Sequence, residues 1–149
     1  MSTFANPQDR AQIQQRLERL KSDSPRRWGK MSPHQMVCHL SDAFRMASGE
    51  RSAKPVDNIV SRNLIRWVAL HTNITWPHGA KTVPEADQES GGTTPQDWVR
   101  DHTQLLEYMQ AFGKRPLTAK HPMFGQLKAS EWEVWAYRHC DHHLRQFGM

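Results

Sequence analysis

Residues 130–147 read SEWEVWAYRHCDHHLRQF, and the rest of the chain can be organised around them. At helical spacing Trp132, Trp135, Ala136, His139, His143 and Gln146 or Phe147 fall on one stripe, the stripe an amphipathic helix turns toward its neighbours. His139 and His143 stand at i and i+4, so their imidazoles can converge on one ion between helices. His142 points about 100° away from His143, because each residue advances a helix by that angle. On this pair alone, a metal site and two hydrogen-bonded core histidines are equally open. The rest of the stripe is tryptophan, alanine and phenylalanine, where an imidazole without a partner is costly to bury. A ligand role would satisfy both rings.

A chain of 149 residues fits one domain with a core of ordinary size. The formal charge of +5 and pI near 9.6 raise the question of nucleic acid. Lysine and arginine are spread over every segment, however, and Arg26, Arg27, Arg62, Arg66, Arg138 and Arg145 share no stripe, so nucleic acid is not the expected partner. The longest apolar run is a few residues and MSTFANPQDR has no signal-peptide core; the expectation is a cytoplasmic protein that does not span a membrane. Cys38 and Cys140 are too few for a disulfide scaffold and read as reduced core residues.

Taken in order, Asn6-Pro7-Gln8-Asp9 opens a first helix with Ile13, Leu17 and Leu20 inward. Ser32-Pro33-His34-Gln35 is a capping box for a second, over Pro33 to Ser48, stopped at Gly49. Its stripe is Met36, His39 or Leu40, Ala43 and Ala47, which makes His39 a third inward histidine; His34, in the first turn, reads as surface. Asp42 is placed to accept an N–H from His39 and leave the other ring nitrogen for a metal, or to be a plain solvated aspartate. Asn58 to Thr72 has Ile59, Val60, Leu64, Trp67, Val68 and His71 spaced for an extra amphipathic helix. Thr75 to Thr93 reads as a long loop, a lid or substrate wall, with disorder expected at Gln88 to Gly92. Thr94-Pro95-Gln96-Asp97 opens a third main helix with Trp98, His102, Leu105, Met109 and Phe112 inward; His102 ranks below the other three histidines. Ala119 to Ala129 is a loop leading to Ser130 and Glu133 as the capping box of the last helix. The fold expected is all-α: an antiparallel four-helix bundle with an extra helix and a long loop between the second and third main helices, and no strand.

These residues resemble the DinB-like (YfiT-like) superfamily of four-helix-bundle metal proteins. The likeness rests on Trp28-Gly29-Lys30-Met31, Gln35-Met36 and His39, on His121-Pro122-Met123-Phe124-Gly125-Gln126-Leu127 and Glu131-Trp132, and on His139 through Gly148, HCDHHLRQFG. It spans nearly the whole chain and is similar to a bacterial subgroup carrying these motifs. The resemblance implies that one histidine of the second helix and the HxxxH pair of the last hold a divalent metal, here His39, His139 and His143. The superfamily includes thiol transferases using low-molecular-weight thiols, a thiol-dependent isomerase and hydrolases, so fold analogy alone does not fix the reaction.

Three neutral imidazoles leave a divalent ion its full charge and an open position, as in a catalytic site. Such an ion turns water or a thiol into a nucleophile near neutral pH. Zinc or nickel suits imidazole, with iron or manganese also compatible. The expectation is therefore a metal-dependent thiol transferase or hydrolase acting on a small molecule, with a low-molecular-weight thiol as one candidate cosubstrate and a homodimer left open. Asp42, His102, His142 and Tyr137 are the available acids and bases, none with an assigned role. The alternative is a non-catalytic bundle that the metal ties together.

Overall fold

In a computed structural model, which describes residues 1–114 and 116–149, the chain is all-α, an antiparallel four-helix bundle with a helical insertion. The long helices are α1 (Pro7–Arg19), α2 (Pro33–Ala47), α4 (Trp98–Ala111) and α5 (Ala129–Arg145); the short α3 (Arg66–His71) belongs to the insertion. No helix among the described residues is long and apolar enough to cross a membrane.

The first two helices start where their sequences say. Asn6 accepts from the Gln8 N–H at 2.9 Å, with Pro7 at the first helical position. Ser32 and Gln35 form the reciprocal box, at 2.8 and 3.1 Å. Each cap contributes about 0.5–2 kcal/mol and fixes where the helical phase begins. Because the phase is fixed, Ile13, Leu17, Met36, His39, Leu40 and Phe44 all enter the core. Helix α2 is the central element, buried along most of its length and packed on α4 and α5. Helix α1 lies along α5, tied by Arg16 to Asp141 at 2.8 Å and to the Met149 carbonyl at 3.0 Å.

Elsewhere tertiary contacts override local signals. Helix α4 begins at Trp98, not at Thr94, with Asp97 accepting from the Arg100 N–H at 2.7 Å. The preceding residues are strapped down instead: the Thr93 N–H and hydroxyl both donate to Asp42 at 2.7 Å, and the Gln96 N–H donates to Asp101 at 3.1 Å. Helix α5 begins one residue before Ser130, and its cap is Glu131 rather than Glu133. The Glu131 carboxylate accepts from the Lys128 N–H at 2.8 Å; a lysine side chain carries no acceptor, so the other half of the box does not form. Glu133 instead approaches Arg10 at 3.7 Å.

The insertion departs most from its sequence reading. Asn58 to Thr72 is not one regular helix: a π-helical turn, Ser61–Ile65, leads into α3. The expected apolar stripe faces outward, with Ile59 79% and Trp67 58% exposed, while Ser61, Ala69 and Leu70 are buried. An ion pair selects this face: Arg66 grips both oxygens of Glu131 at 2.9 and 2.5 Å, and His71 meets the same carboxylate at 3.2 Å. Residues 88–92, expected to be disordered, form a closed turn on a 3₁₀ segment at Pro84–Ala86, with the Gly91 N–H donating to the Pro84 carbonyl and the Gly92 N–H to that of Asp87. A short hairpin, absent from the sequence reading, pairs β1 (Lys120–His121) with β2 (Gly125–Gln126); Gly125 has φ +69°, which its turn requires.

Candidate metal centre

His39 comes from the middle of α2, and His139 and His143 from successive turns of α5, where Trp135 and Ala136 bury the same stripe against the core. Their rings meet. His139 Nε2 stands 3.1 Å from His39 Nε2 and 3.1 Å from His143 Nε2, and the three ligand atoms lie within 4.8 Å of one another. The structure thus contains a buried three-histidine cluster able to hold a metal ion, built from the three residues the helical spacing selects.

The outer contacts fix which nitrogen points inward. His39 Nδ1–H donates to the Ala86 carbonyl at 2.8 Å, and His143 Nδ1–H donates to Gln146 Oε1 at 2.7 Å. A neutral imidazole has one N–H, so both rings present a bare Nε2 lone pair to the centre. His139 Nε2 can donate to only one of them. Without a cation or an added proton, at least one of the two 3.1 Å contacts sets lone pair against lone pair. Burial pushes the pKa values of His39, His139 and His143 down, and for His139 the neighbouring imidazoles add to the effect, so the rings are held neutral. Neutral imidazoles are what a metal requires. Two nitrogens at about 2.0–2.1 Å from a shared ion, subtending about 90 to 110°, are roughly 2.9 to 3.4 Å apart, which brackets the observed spacing.

The Trp28-Gly29 motif has its explanation here. Gly29 has φ +84°, and a Cβ at this position would come 2.5 Å from the Gln146 amide. Its absence lets Gln146 lie under His143, while the Arg27 N–H donates to the Gln146 carbonyl at 2.6 Å. The segment before α2 therefore braces, at the end of α5, the side chain that holds His143.

Other expectations change. Asp42 does not touch His39; it accepts from Thr93 and Gln88 and pairs with Arg51 at 3.2 Å and Arg45 at 3.5 Å. The His39 partner is the Ala86 carbonyl, a group every residue carries and for which sequence gives no signal. Gln146 did carry a signal, three residues after His143 on the same stripe. His34 is not surface: half-buried, it meets Asp101 at 2.9 Å, and Cys38 Sγ approaches the same carboxylate at 3.8 Å. His102 is a hydrogen-bonded packing residue, its Nε2–H donating to the Leu17 carbonyl at 2.9 Å. His142 stays outside the cluster, edge-on to Trp28 and beside Trp76, with burial holding its pKa at about 4. Tyr137 donates to Gln12. Both cysteines are buried and free.

A cavity of about 330 Å³ opens beside the cluster, with His39, His139, His142 and His143 in its wall. Residues 74–77 and 80–83, Ala86 and residues 121–124 supply much of the rest, so part of the Thr75 to Thr93 segment does form a cavity wall, joined by the loop that leads to α5. Of the six arginines, Arg62, Arg66 and Arg145 pair with Asp57, Glu131 and Asp141, while Arg26 and Arg138 donate to backbone carbonyls. No curated protein and no solved structure matches the chain. A family model does, over residues 6–148, and the chain belongs to the family described as Protein of unknown function (DUF1569).

Proposed function

We propose that this chain is a small cytoplasmic metalloenzyme in which His39, His139 and His143 hold a divalent ion, zinc or nickel best suiting three imidazoles and iron or manganese being compatible. One observation carries this reading: His139 Nε2 lies 3.1 Å from Nε2 of both His39 and His143, all three within 4.8 Å of one another, with His39 and His143 locked as acceptors by their Nδ1–H bonds. The ion's contribution is Lewis acidity, which makes water or a thiol nucleophilic near neutral pH. The chain's own part is to keep the imidazoles neutral and oriented, through the Ala86 carbonyl and Gln146, and to hold a small substrate in the adjoining cavity. The resemblance to the DinB-like superfamily supports the same ligand set and the thiol-transferase or hydrolase class.

Elemental analysis of protein purified without added metal or a nickel column is expected to find one divalent ion per chain. After replacement by cobalt, a thiol transferase shows a sulfur-to-metal charge-transfer band when a low-molecular-weight thiol is added. A hydrolase shows no such band, and its activity rises with pH as water ionises. A cobalt spectrum that neither thiols nor small anions perturb would overturn the catalytic reading and leave an ion that only ties α2 to α5.

A further inference from the structure

The motif His121-Pro122-Met123-Phe124-Gly125 has no part in the metal cluster, yet its histidine lies in the wall of the same cavity. His121 Nδ1 accepts two backbone N–H bonds, from Met123 and Phe124, each at 3.1 Å. A nitrogen accepting twice carries no hydrogen, so the ring proton sits on Nε2. The ring is clamped in this attitude by stacking on Phe124, with centroids 4.5 Å apart, and by the edges of Trp132 and Trp135 at 5.6 and 5.5 Å. Burial pushes its pKa down to about 3, so the ring remains a neutral donor. Among the described residues no protein group receives the Nε2–H. Trp132, whose ring also lines the cavity, has its indole N–H buried without a partner and closed off from the cavity space. His121 is half-buried in the cavity wall, so its Nε2–H is a donor that a molecule in the cavity can satisfy by bringing an acceptor.

The remaining wall defines that ligand's character. Met46, Val68, Trp76, Val83 and Met123 make it strongly apolar; Lys81 is its one lysine or arginine, exposed at the rim, and no aspartate or glutamate lines it. Nothing inside would compensate a multiply charged cosubstrate. We propose that the cavity takes an uncharged, largely apolar molecule bearing a carbonyl-type oxygen, and that His121 is the positioning residue whose Nε2–H donates to this oxygen. The inference rests on reading this cavity as the substrate chamber of the proposed enzyme; it does not depend on which metal is bound.

The test uses benzylacetone and butylbenzene, which share an apolar body and differ in the carbonyl, with phenylbutyrate as the charged counterpart. Binding to the metal-free full chain is followed by emission of Trp76, Trp132 and Trp135, which line the cavity. His121→Asn places a side-chain acceptor near the Nδ1 position, so it can cap Met123 and Phe124 while removing the Nε2 donor. The affinity for benzylacetone relative to butylbenzene is expected to fall about three- to tenfold in this variant, the range of one neutral hydrogen bond. His121→Gln, which returns a donor near Nε2, should keep the ratio within about twofold of the parent. In the parent, nitrogen NMR should show His121 protonated on Nε2, with that proton shifting on addition of benzylacetone and not of butylbenzene; this readout needs no variant to fold. An unchanged ratio in His121→Asn, a proton on Nδ1, or tighter binding of phenylbutyrate than of benzylacetone would overturn the proposal. If neither neutral probe binds the parent, the chamber reading falls with it. If the ratios behave as expected while elemental analysis finds no metal, only the metalloenzyme reading falls.

Discussion

Helix α2 carries two polar clusters on consecutive residues, and they behave as opposites. His39 joins His139 and His143, while Cys38 joins His34 and Asp101; each set places three metal-type ligand atoms within 4.8 Å. In the second set the carboxylate is already occupied. Asp101 accepts from Arg100 at 3.0 and 2.8 Å, from the Gln96 N–H at 3.1 Å and from His34 at 2.9 Å. Burial works against its charge, but Arg100, Gln96 and His34 together hold its pKa at about 2. Cys38, by contrast, is pushed up to about 12 by burial and by the Asp101 charge, so no thiolate is available. A metal would have to displace a guanidinium. In the three-histidine set the surroundings do the reverse: they saturate Nδ1 of His39 and His143 and leave their two inner lone pairs with at most one donor between them. Residue type and proximity do not separate a ligand site from a structural clip here. The hydrogen-bond inventory does.

The sharpest way to break this contrast is to remove one member of each set. Because outer-contact mutations at metal sites already cost about 10- to 100-fold, losing a ligand outright, as in His39→Ala or His143→Ala, should lower metal affinity more than about 100-fold. His34→Ala and Cys38→Ala should leave metal content at the parental value. Calorimetric titration of metal-free protein measures both, and comparable losses from the two sets would erase the distinction.

How much of this was legible beforehand follows from where each constraint originates. The caps of α1 and α2 lie within a few residues of the helices they start, so the inward positions of Met36 and His39 could be read directly, while Leu40, an alternative to His39 in that reading, is buried beside it. For α5 the apolar spacing from Trp132 to Phe147 was enough to place His139 and His143 even though its cap lay elsewhere. The start of α4 was misplaced because Thr93 is held by Asp42, 51 positions away. The insertion turned over because Arg66 and His71 reach Glu131, and an ion pair leaves no periodic trace in the apolar pattern. Ala86 holds His39 through a carbonyl, which is invisible to any reading of side chains.

A smaller expected effect tests the clip as a clip. Asp101→Asn removes the charge that Arg100 and His34 share, and should cost about 1–3 kcal/mol of unfolding free energy, discounted because the Arg100 side chain is 59% exposed. Metal content should not change. The sign with pH is set by the depressed carboxyl: its contribution is fully present above the ordinary aspartate value near 3.8 and is lost as pH falls toward about 2. Parent and variant should therefore differ by a constant amount near neutrality and converge in strong acid. Urea unfolding at a series of pH values reads this, and a difference that persisted undiminished in strong acid would take the stabilisation away from the Asp101 charge.

The smallest effect is expected at His142, adjacent in sequence to the proposed ligand His143 yet excluded from the cluster by helix geometry. Its ring is 5.2 Å from that of His143 and turned at 85° to it, and it packs against Trp28 at 4.9 Å and Trp76 at 6.0 Å. An α-helix cannot aim residues 139, 142 and 143 at one point while also keeping Trp132 and Trp135 inward, because 139 and 143 already define the stripe and 142 lies about 100° from the latter. His142→Ala should therefore leave the number of ions per chain unchanged and shift affinity by no more than about threefold, far below the loss expected of a ligand. Its visible consequence should be in the two indoles its ring packs against, as altered emission from Trp28 and Trp76. If His142→Ala instead emptied the site while His143→Ala kept its metal, α5 would have to be rotated by one residue about its axis, and the assignment of His143 as the partner of Gln146 would fall with it.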